Sequence, residues 1–143
     1  MISTHISSLE ATYHKTLEWL KELKEIGRFD DEAQAYTAMR AVLQALRDRM
    51  TVEEASDLAA QLPMLIRGFY YEGYNPAITP IKTRSRDDFF LLVREKMSGG
   101  SAVDEEHAVR CVFQLLERRI SAGEISDIKQ VLPQSMRDLW ESI

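Results

Sequence analysis

Apolar residues recur along this chain at intervals of three and four, the spacing of one face of an α-helix. Leu9, Tyr13, Leu17 and Leu20 set the first stripe, and Trp19, Leu23 and Ile26 widen it. Ser7 with Glu10 three residues on is a capping-box signature for its start, and Gly27 is the expected stop. A second helix is expected from Asp30 and Asp31, whose charges suit a helix N-terminus. Its apolar face is Ala35, Met39, Val42, Leu43, Leu46 and Met50. Thr51 and Glu54 make another capping box, for a third helix carrying Ala55, Leu58, Ala59 and Leu62. Pro63 suits the first turn of a fourth helix, 64–71, which ends at Gly73.

The same plan then returns. Set 38–70 over 108–140 without a gap, an offset of 70 residues, and twelve of the 33 pairs are identical. They include Arg40/Arg110, Gln44/Gln114, Arg49/Arg119, Glu54/Glu124, Asp57/Asp127, Pro63/Pro133 and Arg67/Arg137. Most other pairs are alike in character, such as Leu43/Phe113, Thr51/Ser121 and Tyr70/Trp140. Two copies are too few, and the period too long, for a solenoid. Phe89, Phe90, Val93 and Met97 mark the first helix of the second copy, with Gly99 and Gly100 as its stop. Strand alternation is nearly absent. The expected fold is all-α: two tandem four-helix repeats, about eight helices, over 1–74 and 87–143. An irregular connector, 75–86, joins them, and the repeats pack as one body.

The run Arg40-Ala41-Val42-Leu43-Gln44-Ala45-Leu46-Arg47-Asp48-Arg49-Met50-Thr51, then Gln61-Leu62-Pro63, then 66–73, resembles the bacterial domain of unknown function family 2267. Leu132-Pro133 and Leu139-Trp140 echo it in the second copy, so the likeness covers about residues 10 to 142. The resemblance implies a small helical bacterial protein. It implies no activity and no catalytic residues.

Composition narrows the chemistry. A net charge of −5 argues against nonspecific nucleic-acid binding, which needs clustered cations. No apolar run reaches the roughly 18–20 residues of a membrane span, and the first residues lack an export signal. With one cysteine, Cys111, no internal disulfide forms, and a cytoplasmic location is expected.

Motifs for catalysis are missing: there is no Gly-x-Ser-x-Gly elbow, no HExxH and no phosphate loop. His14 and Glu18 lie one turn apart and Asp104 lies three before His107, but no paired Glu-x-x-His set follows, so no metal and no cofactor are expected. Cys111 falls at the position of Ala41 and reads as a small core residue. The recurring polar residues carry two readings. Arg40, Arg110, Asp57 and Asp127 form either structural contacts that fix helix register, with the arginines paired to those acids or to backbone carbonyls at a helix C-terminus, or a pair of equivalent anion sites. Tyr71 and Tyr74 have no aromatic or apolar equivalents in copy two and are candidates for an interface. Lys82, Arg84 and Arg86 make a short basic patch in the connector. The expected function is a non-catalytic interaction or scaffold protein that binds a protein partner or itself. The alternative is a small-molecule or anion binder, or an enzyme, with its site between the repeats.

Overall fold

The computed structural model describes residues 4–82, 84–97 and 101–141, and every regular element among them is a helix. The α-helices are α1 Ser7–Gly27, α2 Glu32–Asp48, α3 Val52–Ala60, α4 Met64–Tyr71, α5 Arg86–Lys96, α6 Glu105–Arg119 and α7 Ala122–Val131. A 3-10 helix, Gln134–Trp140, completes the eight expected, and a single 3-10 turn, Pro76–Ile78, lies in the connector.

Side-chain caps set most of the starts. The carboxylate of Asp31 accepts from Gln34 N–H at 2.9 Å, Ser85 accepts from Asp88 N–H, and Asp104 accepts from His107 N–H. Thr51 and Glu54 close the expected reciprocal box. The start of α1 differs from expectation. Its N-cap is Ile6, with no side-chain hydrogen bond, and Ser7 is already helical. The Glu10 carboxylate is held by the His5 ring instead of turning back to the backbone. The end of α1 differs too, because the left-handed residue there is Arg28, at φ 53°, and not Gly27. Gly27 serves close approach: a Cβ on it would come within 2.4 Å of the Phe29 ring, which folds back over the helix end. Pro63 stands just before α4 as its N-cap. Gly99 and Gly100 lie outside the described residues.

Two helices are buried nearly all round. In α2, Ala38, Met39, Ala41, Val42, Leu43, Ala45 and Leu46 are all inside, so more than one face is covered. In α6 the same holds for Ala108, Val109, Cys111, Val112, Phe113, Leu115 and Leu116. The α2 helix packs against α1, α4, α5 and α6; α6 packs against α1, α5, α7 and the terminal 3-10 helix. The first helix of each half therefore touches the second helix of both halves. One apolar cluster holds side chains from every α-helix. The 70-residue correspondence also reaches further than the aligned stretch, since Trp19 and Phe89, and Leu23 and Val93, are buried pairs at the same offset.

A pair of charged residues is buried with this core. Arg47 is 1% exposed and Asp48 3%. The Arg47 guanidinium donates to Asp48 Oδ1 at 2.8 Å, to the carbonyl of Tyr70 at 2.7 Å and to that of Glu72 at 2.9 Å. It also faces the Tyr74 ring at 5.3 Å. The second Asp48 oxygen pairs with Lys96 Nζ at 2.8 Å, and the Asp48 carbonyl accepts from Ile81 N–H at 2.6 Å. This one dipeptide ties the end of α2 to the end of α4, to the connector and to the end of α5.

Candidate functional site

The recurring arginines turn inward. Arg40 donates to the carbonyl of Lys96 at 3.2 Å, on the last turn of α5, and lies 3.9 Å from the Glu72 carboxylate. Arg110 donates to the Asp138 carbonyl at 3.1 Å and pairs with Glu106 at 3.1 Å. Asp138 is shared with Arg86, whose hydrogen bonds hold its carboxyl below the ordinary range. The Lys96 carbonyl lies on the last turn of its helix, where C=O groups lack an intrahelical donor, and the Asp138 carbonyl also accepts from Glu141 N–H. Neither is paired with Asp57 or Asp127. Because Arg40 keeps roughly a third of its side chain in solvent, Arg40→Ala is expected to cost about 1–2 kcal/mol, the scale of a charged hydrogen bond. Thermal unfolding checks this.

The acids released from those pairs converge elsewhere. Glu54, Asp57, Glu124 and Asp127 all line one cleft of about 230 Å³ between α3 and α7. Met50, Ile128, Val131 and Gln130 complete its lining. Glu54 and Asp57 are three apart on α3, so they share a face, and Glu124 and Asp127 do the same on α7. No lysine, arginine or histidine lines the cleft among the described residues. The two copies use their first acid differently. Glu54 accepts from Thr51 N–H at 2.9 Å and so completes its capping box. At the start of α7 the equivalent donor, Ser121 N–H, is taken by Gln61 Oε1 from the other repeat at 3.1 Å. Glu124 is thereby left with no hydrogen-bond or ion-pair partner among the described residues. Asp57 and Asp127 have none either.

Burial, followed by the charges of Asp127, Asp57 and Glu54, raises the Glu124 pKa above its ordinary 4.5. The folded chain thus holds this proton more tightly than the unfolded one. Stability from this group is greatest at acid pH and falls as pH rises from 4.5 through the higher folded value. Glu124→Gln is expected to stabilise the fold by a few tenths of a kcal/mol at neutral pH, the scale of contacts between partly exposed charges. The gain should vanish below pH 4, where both side chains are neutral. Denaturant titrations across this range measure it.

A family model matches residues 16–139, most of the chain. The chain belongs to the uncharacterized conserved protein family DUF2267. No curated protein matches it. In this DUF2267 chain, no group of three or more His, Cys, Asp or Glu among the described residues is placed to hold a metal ion. No helix among them is long and apolar enough to cross a membrane. Cys111 is buried, and burial pushes its thiol up to about 12, so no thiolate forms near neutral pH. Its neighbour His107 donates to the carbonyl of Gly27 at 2.8 Å and packs edge-on to Phe29.

Tyr71 and Tyr74 are half-buried and lie with Tyr70 in one aromatic row, with centroids 5.0 and 5.5 Å apart. Tyr71 packs against the core, and the Tyr74 hydroxyl is buried with no hydrogen-bond partner among the described residues. Neither residue reaches the acidic cleft. The four acids were visible in the sequence as recurring pairs, and their i, i+3 spacing was the usable signal. Their convergence depends on α3 and α7 lying side by side, which no local pattern encodes.

Proposed function

We propose that this DUF2267 protein is a non-catalytic interaction module that holds a basic segment of a partner protein in the cleft between α3 and α7. The observation that carries this reading is the set of four carboxylates, at positions 70 residues apart in sequence, lining a groove with Met50, Ile128 and Val131 and with no cation among its described lining residues. Three of the four have no partner among the described residues, although like charges gathered in this way cost stability. Lysine and arginine side chains supply the complementary charge, and their aliphatic stems suit the apolar lining residues. The spread of the acids favours an extended cationic chain over a single ion. Paired anion sites at Arg40 and Arg110 have less support, since both guanidiniums already serve carbonyls and carboxylates within the chain.

Fluorescence anisotropy with a labelled octalysine peptide tests the proposal at low and raised salt. Saturable binding is expected, weakened by salt and by about tenfold, or 1.4 kcal/mol, in the double variant Asp57→Asn/Asp127→Asn. The charge-matched control Glu25→Gln/Glu95→Gln, on exposed positions of α1 and α5, should bind like the unaltered protein. Equal losses in both doubles would show bulk attraction only and end the reading. Sedimentation that shows mass rising with concentration, abolished by the cleft double, would make a second copy the occupant and also overturn it.

A further inference from the structure

We draw no further inference here: the strongest candidate outside the cleft, the exposed apolar stripe of Ile6, Leu9 and Tyr13 on and just before the first turns of α1, is an unpartnered helix face, and nothing in the structure shows what covers it.

Discussion

Arg47→Met is expected to lower the unfolding free energy by about 3–5 kcal/mol, the cost of breaking a buried charge cluster from one side. The methionine fills much of the space but donates nothing. The carbonyls of Tyr70 and Glu72 lose their donor, and Asp48 keeps only Lys96 as a charged partner. At roughly 2–4 °C per kcal/mol for a chain near this size, the melting temperature should fall by about 6–20 °C. Arg118 occupies the position of Asp48 in the second repeat, beside Glu117 in place of Arg47, and half of its side chain is exposed in an ion pair with Glu22. Arg118→Ala should therefore cost about 1 kcal/mol or less. Paired thermal and urea unfolding of the two variants makes the comparison. Equal small losses would show that the Arg47 cluster adds no more than a surface pair.

A second large loss is expected at Phe113. Its ring is fully buried and stacks on Trp140, with centroids 4.1 Å apart and planes 16° from parallel. Phe113→Ala removes that stack and leaves a cavity beside the terminal 3-10 helix, at about 3–5 kcal/mol. Lys129 Nζ lies 5.3 Å from the Trp140 ring centroid, so Trp140 keeps one contact. Tryptophan emission should shift to longer wavelength before global unfolding, because the 3-10 helix loses its main apolar hold. A variant that melts more than 10 °C lower without any early shift would mean that this segment unfolds only with the rest of the chain.

Local patterns carried the helices well. The stripes of α2 and α6 and the Thr51 cap are short-range features, and the all-helical class follows from them. The departures have physical causes. Ser7 looks like a cap, but His5 takes the carboxylate that would have closed the box. Gly27 looks like a left-handed stop, yet its missing side chain makes room for Phe29 while Arg28 makes the turn. Nothing in the local pattern marks Arg47 and Asp48 as buried, because adjacent charges on a helix usually face water. Only the packing of α4, α5 and the connector over that end of α2 buries them. The recurring arginines and acids were both legible, but their pairing was not. Acids and helix-end carbonyls were both open to Arg40 and Arg110, and only the packing of other elements against α2 and α6 brings the carbonyls of Lys96 and Asp138 to them.

The sharing of α1 and α5 between both central helices has a consequence for synthesis. A ribosome releases the N-terminal half first. At that moment α2 has α1 and α4 against it, but its surfaces for α5 and α6 are bare. Arg40 and Asp48 wait for the end of α5, and Arg49 waits for the carbonyl of Val131. The nascent first half thus carries an open apolar flank and an incomplete set of polar contacts until α5, α6 and α7 emerge. Pausing within 86–131 would prolong that exposed interval, and a nascent-chain holdase would find its binding surface on α2.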